Sequence, residues 1–161
     1  MYKKINTQSA VLESTYRLMF QYNIEGITMV ELEKKLKRTR GSIYYFYKDK
    51  TALFKAVIDG LFFPVIDTFC FNNKYKFPFD RLMESVQSYD SSVNPAKAII
   101  NILVQSDKFY PNFSSILNSK LIYEKECLIT TNPQLSELIE YTWTQKVGTF
   151  FLSAYEFSSK G

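Results

Sequence analysis

From Lys34 to Lys50 seven residues are basic (Lys34, Lys35, Lys37, Arg38, Arg40, Lys48 and Lys50) against one acid, Asp49. Between them stand hydroxyl and phenol side chains, Thr39, Ser42, Tyr44, Tyr45 and Tyr47, and one glycine, Gly41. A basic, tyrosine-rich stripe of this kind is what a phosphate backbone attracts. A solvated charged face is the plainer account of any charge run. The distribution over the chain favours the polyanion: residues 1–59 hold eleven Lys and Arg against six Asp and Glu, a net +5. Residues 60–161 hold nine against ten, a net −1, so the positive excess sits in the first third.

Other chemistry finds little support. The 161 residues include no histidine, the commonest general base and metal ligand. Two cysteines, Cys70 and Cys127, are too few for a disulfide framework or a metal site. No glycine-rich phosphate loop and no carboxylate–helix metal motif is found. The expectation is a protein that is not an enzyme, with no cofactor and no metal. No stretch approaches the roughly 20 apolar residues of a membrane span, and MYKKINTQS lacks the apolar run of a secretory signal. A reduced, cytoplasmic setting without membrane contact is expected.

The elements that must position the basic stripe are helices. Hydrophobic residues make up 46% of the chain, enough for a core, and only 5 Gly and 5 Pro favour long helices over tight turns. Val11, Leu12, Thr15, Leu18, Met19 and Tyr22 follow a 3.6-residue period and predict a helix over 7–22, capped by Asn6 or Thr7. Asn23 stands where such a helix turns left-handed, and Gly26 marks a tight connection. Thr28 and Glu31 form a capping-box pattern for a short second helix that buries Val30, Leu32 or Leu36. Thr39 caps a third, with Ile43 inward, and Asp49 a fourth, running through Leu53, Phe54, Val57, Ile58, Leu61 and Phe62 until Pro64 kinks or ends it.

Helical stripes continue beyond. Phe79, Leu82, Met83, Val86 and Tyr89 make one; Ile99, Ile102 and Leu103 follow Pro95; Ile116, Leu117, Leu121 and Leu128 make a third. The last joins Ile139, Trp143, Val147, Phe150, Phe151, Ala154 and Phe157. Connectors fall at Asn72–Pro78, Asp90–Asn94 and Asp107–Asn112. The fold class is all-α: an N-terminal three-helix helix-turn-helix domain over 1–59, with its motif at about 28–47, and a helical domain over 60–161.

Two short helices joined by a tight turn and packed on a first are the geometry that lays the second in a major groove. Over roughly residues 5–59 the chain resembles the tetracycline-repressor-like (TetR) transcription regulators. The carriers are Phe20, Gly26-Ile27-Thr28-Met29, Glu31-Leu32, Gly41-Ser42-Ile43-Tyr44-Tyr45, Lys48-Asp49-Lys50 and Leu53-Phe54. The resemblance implies that Thr28 holds a phosphate, that Thr39 and Arg40 open the recognition helix, and that Arg40 reads a base. Gly41 would let the helix approach the groove floor and Ser42 would reach a base edge or phosphate. Tyr44 and Tyr45 would contact phosphate and sugar, and Lys48 and Lys50 belong to the same contact set, Lys50 as a phosphate clamp. Each has a plainer reading: Thr28 and Thr39 as caps, Gly41 as packing relief, Tyr45 as half core, Lys50 as a solvated cation.

The chain departs from the family pattern at three positions. Lys37 stands where a turn glycine is usual, and a left-handed lysine costs about 1 kcal/mol. Arg38 replaces a small apolar residue and would gain a phosphate contact; Glu33 replaces an alanine. For the body the resemblance implies ligand binding and dimerisation, hence a repressor that binds a palindromic operator as a homodimer and is released by an apolar small-molecule inducer. The stripe Ile139, Trp143, Val147, Phe150 and Phe151 fits the dimer interface and fits an ordinary core equally well. The rival to double-stranded DNA binding is a helical adaptor with a basic head and no sequence-specific DNA binding.

Overall fold

The computed structural model describes residues 2–67 and 77–159, with side chains over 8–67 and 77–150. Among these residues there are helices and no strands. Helix α1 spans Tyr2–Met19, α2 Met29–Leu36, α3 Arg40–Phe46 and α4 Lys50–Val57. Helices α5 (Phe63–Asp67), α6 (Pro78–Tyr89), α7 (Pro95–Phe109), α8 (Phe113–Thr131) and α9 (Ser136–Ser159) build the body.

Local chemistry sets most of these boundaries. The Thr28 hydroxyl accepts from Glu31 N–H (3.3 Å), while the Glu31 carboxylate accepts from Thr28 N–H (2.8 Å), a complete capping box. The Thr39 hydroxyl accepts from Ser42 N–H (3.2 Å) and the Asp49 carboxylate from Ala52 N–H (2.8 Å). Caps of this kind are each worth about 1 kcal/mol. Pro95 takes the first turn of α7 behind the cap Asn94, where its missing N–H would be unpaired anyway.

The first helix departs from its expected limits. It begins at Tyr2 and ends at Met19, because nothing between Tyr2 and Thr7 breaks a helix and the Asn6 and Thr7 positions continue it. Asn23 is not left-handed: at φ −79°, ψ 106° its side chain accepts from Glu25 N–H and opens a single 3-10 turn, Ile24–Gly26. Helix α7 continues to Phe109, shortening the expected connector at 107–112. The connector at 72–78 falls mostly outside the described residues, as do Cys70 and the side chains of Phe151, Ala154 and Phe157.

Pro64 does not end the fourth helix. Pro64 has no N–H for the Gly60 carbonyl, and Ile58–Phe62 ahead of it takes a wider winding in which Phe63 N–H bonds the Ile58 carbonyl. The expected boundary at residue 59 therefore falls inside a continuous helical rod from Lys50 to Asp67. One apolar cluster runs along that rod, from Leu53, Phe54 and Val57 through Ile58 and Phe62 to Ile66, and joins Ile43 of the head to Leu82 and Ile102 of the body.

In the body the α9 stripe from Trp143 to Phe150 faces inward. Phe150 is buried and stacks on Phe79 with ring centroids 4.4 Å apart, and Trp143 meets Phe77 edge-on at 5.0 Å. Trp143 and Val147 pack against the shared core, and Ile139 is half-buried. Of the residues expected as a dimer interface, Trp143, Val147 and Phe150 are engaged in the chain's own core. The large apolar residues left exposed in the described body lie elsewhere: Val104 on α7, Ile122 and Tyr123 on α8, Leu135 in the turn, Leu138 and Tyr141 on α9. Between α6 and α8, the Arg81 guanidinium donates to the carbonyls of Val65 (3.0 Å) and Ile66 (2.7 Å) and pairs with the Glu124 carboxylate. Burial pushes the Glu124 carboxyl up to about 7, against the opposing pull of Arg81.

Candidate nucleic-acid interface

Helix α3 buries Ile43 and, just past its end, Tyr47 against the head core. That packing turns Arg40, Gly41, Tyr44 and Tyr45 outward, since positions i, i+1, i+4 and i+5 share a helix face. Thr28, Thr39 and Lys48 are exposed around them, and Arg38, Ser42 and Lys50 partly so. Tyr45, for which half core is the plainer of two readings, is 65% exposed, and its ring packs edge-on against Phe46 at 5.0 Å. Tyr44 is exposed as well.

The turn before α3 is tight and strained. Lys37 sits in the left-handed region at φ 53°, ψ 42°. Its N–H bonds the Lys34 carbonyl (3.3 Å) while Arg38 N–H bonds that of Glu33 (3.1 Å), the paired closure that ordinarily uses glycine. Both hydrogen bonds need the left-handed residue, so the geometry overrides the cost of a β-carbon at Lys37.

Gly41 has no packing role within the chain. A β-carbon placed there would meet nothing within 4 Å. The bare backbone is instead on the outer face, where a partner could approach closely.

Three cations of the basic stripe are already engaged inside the head: Arg40, Lys50 and Lys35, whose ammonium stands 3.9 Å from the centroid of the Tyr22 ring. Arg40 Nε donates to Glu33 Oε1 at 3.1 Å, and among the described residues its terminal Nη groups make no hydrogen bond. The pair spans the turn, joining α2 to α3. The Lys50 ammonium donates to the carbonyls of Ile27 (2.7 Å) and Glu25 (3.3 Å), bracing the chain just ahead of α2. The Thr28 hydroxyl is likewise engaged, donating to the Glu31 carboxylate at 3.0 Å. The Thr28 backbone N–H, and then its hydroxyl, hold the Glu31 carboxyl below the usual carboxylate range, so the box carries a negative charge at the α2 N-terminus. Lys34, Lys37, Arg38 and Lys48 form no ion pair among the described residues and supply the uncompensated positive surface.

The sequence did not single out the Glu33–Arg40 pair or the polar edge of α7. Residues 33 and 40 lie on two different helices with the turn at 37–39 between them, so helical periodicity cannot pair them. Asn101, Gln105 and Lys108 do follow i, i+4, i+7, a polar edge beside the apolar stripe of Ile99 and Ile102, and that signal was available. In the body, Phe79, Leu103, Leu117, Leu121, Trp143 and Val147 line an open groove of about 400 Å³. No described helix is long and apolar enough to cross a membrane.

The model of the bacterial regulatory proteins of the tetR family matches residues 11–57, from the middle of α1 to the end of α4. The chain is also similar to the uncharacterized HTH-type transcriptional regulator YxbF of Bacillus subtilis (strain 168), with 23% identity over 121 residues. That match covers 73% of this chain and 31% of the relative, so the chain spans about a third of the relative's length. No solved structure matches it.

Proposed function

We propose that this chain, whose residues 11–57 match the model of the tetR family of bacterial regulatory proteins, is a DNA-binding transcriptional regulator that inserts α3 into the major groove. The observation that carries this reading is the outer face of α3. Arg40, Gly41, Tyr44 and Tyr45 stand together with a glycine that no internal contact requires. A helix N-terminus carrying an arginine beside bare backbone suits close approach to base edges, and the Nη pair of Arg40 matches guanine O6 and N7. Lys48, Arg38 and the α2 N-terminus then lie where phosphates pass. With Lys50 bonded to two carbonyls, its main contribution is to hold the start of α2, and Lys48 is the better phosphate ligand.

The finer reading is a repressor acting as a homodimer on a palindromic operator. Ile122, Tyr123, Leu138 and Tyr141 form the apolar surface that a second copy would cover, in place of the inward-facing stripe of α9. The groove beneath Leu103 and Trp143 has the lining for an apolar, ring-bearing inducer.

The test is selection from a random duplex pool over a salt series with the purified protein. Enrichment of a palindrome, abolished in Arg40→Ala and weakened evenly for all sequences in Lys48→Ala, supports the reading. Salt-sensitive binding with no enriched site reduces the head to a basic adaptor surface.

A further inference from the structure

On α7, Asn101, Gln105 and Lys108 share one edge, set against the backbone that joins α1 to α2. The Gln105 carboxamide is buried and engaged at both ends. Its Nε2 donates to the Met19 carbonyl (3.1 Å) and its Oε1 accepts Ile24 N–H (3.1 Å). Asn101 Nδ2 donates to the same Met19 carbonyl (3.0 Å) and to that of Tyr22 (3.3 Å). Lys108 reaches the Glu25 carboxylate at 3.1 Å. Met19 closes α1 and Ile24 opens the 3-10 turn, so these are the backbone groups that helix ends leave unpaired. Withdrawing Gln105 would strand the buried Ile24 N–H and leave the Met19 carbonyl to Asn101 alone, which is what makes the contact selective for one geometry.

The segment 20–27 sets where α2 begins, and α2 sets the aim of α3 through the turn at Lys37. It is held from the head side by Lys50 and from the body side by α7. Leu103, two residues from Gln105 and so on the opposite face of α7, lines the apolar groove. A single helix therefore borders the groove on one face and grips the approach to α2 with the other.

We propose that Gln105, seconded by Asn101, is the positioning residue that fixes the head on the body and so holds the approach to α2 and the aim of the recognition helix. The proposal rests on the reading of α3 as the DNA-reading helix. Its test compares the full chain with Gln105→Met, which keeps the shape and removes both hydrogen bonds, and with Leu82→Val, a body-core control. Amide hydrogen exchange at residues 20–28 is followed without DNA, and affinity is measured for the duplex selected above. Gln105→Met should speed exchange at Ile24 and weaken the selected duplex, each by about tenfold. Leu82→Val should lower the melting temperature and leave the affinity at the wild-type value. Should Gln105→Met not fold, Asn101→Ala takes its place, with an expected loss of about threefold. Unchanged exchange at Ile24 overturns the clasp. Equal weakening of the duplex by Leu82→Val at matched loss of stability overturns its positioning role. If the wild-type chain selects no duplex, the DNA reading fails on its own, and the exchange measurement still decides whether Gln105 holds the head.

Discussion

Replacing Gly41 with alanine should make the protein more stable and worse at binding its duplex. The structure supplies the sign of each effect. Gly41 has ordinary negative φ and an added β-carbon meets nothing within 4 Å, so the folded chain accepts alanine without strain. Alanine also narrows the unfolded ensemble, and for a residue in the first turn of α3 the gain is about 0.5 kcal/mol. For a chain of this size that raises the melting temperature by about 1–2 °C. Against DNA, the new methyl stands where bare backbone is expected to meet the groove. Overfilling a close-packed contact costs about 1–3 kcal/mol, which is about 5–150-fold in affinity. Thermal melting and fluorescence anisotropy on the selected duplex read the two effects separately. Gly26→Ala is the internal control, since Gly26 is also exposed, has negative φ and open space, but lies in the turn before α2. It should leave affinity unaltered. If Gly41→Ala binds as tightly as wild type, α3 does not approach the groove through this residue, and the interface reading built on it is refuted.

Three other substitutions probe separate parts of the argument. Lys37→Gly relieves the left-handed β-carbon and should raise stability by up to about 1 kcal/mol in denaturant melts, a gain trimmed by glycine's entropy; a loss would mean that the lysine side chain itself holds the turn. Glu33→Ala frees Arg40 and removes an acid from a basic face. With the pair half-exposed, stability should change by less than about 1 kcal/mol. Binding to random DNA should tighten while the preference for the selected site drops several-fold, and an unchanged preference would show that Glu33 does not position Arg40. For Glu124, burial raises the folded carboxyl to about 7 from 4.5. As pH rises through that window the unfolded chain releases a proton that the folded chain retains, so this group withdraws stability up to about pH 7 and changes nothing further above it. Melting temperature should therefore depend less on pH between 4.5 and 7 in Glu124→Gln than in wild type, and parallel curves would contradict the assignment.

The sequence by itself determined what depends on neighbours along the chain. The capping box at Thr28 and Glu31, the caps at Thr39 and Asp49, and the first-turn proline at Pro95 are contacts between residues a few positions apart, and each stands in the structure as its spacing dictated. The basic stripe and the all-helical character follow from composition and period, which need no tertiary knowledge. The departure at Lys37 was visible only against a family pattern that puts glycine there, and its left-handed backbone is what the structure adds. Tertiary structure decided what depends on which face meets which neighbour. An apolar stripe on α9 states that something covers it; only the stacking of Phe150 on Phe79 and the seat of Trp143 on Phe77 show that the chain itself covers these two rings. Asn101 and Gln105 read as polar positions on a helix edge, and only the folded chain brings them to Met19 and Ile24, more than 75 residues away in sequence. Arg40 and Lys50 look equally available as cations in the sequence. Folding gives one a carboxylate across a turn and the other two carbonyls, because hydrogen-bonding groups near the surface pair with whatever the backbone path places within reach.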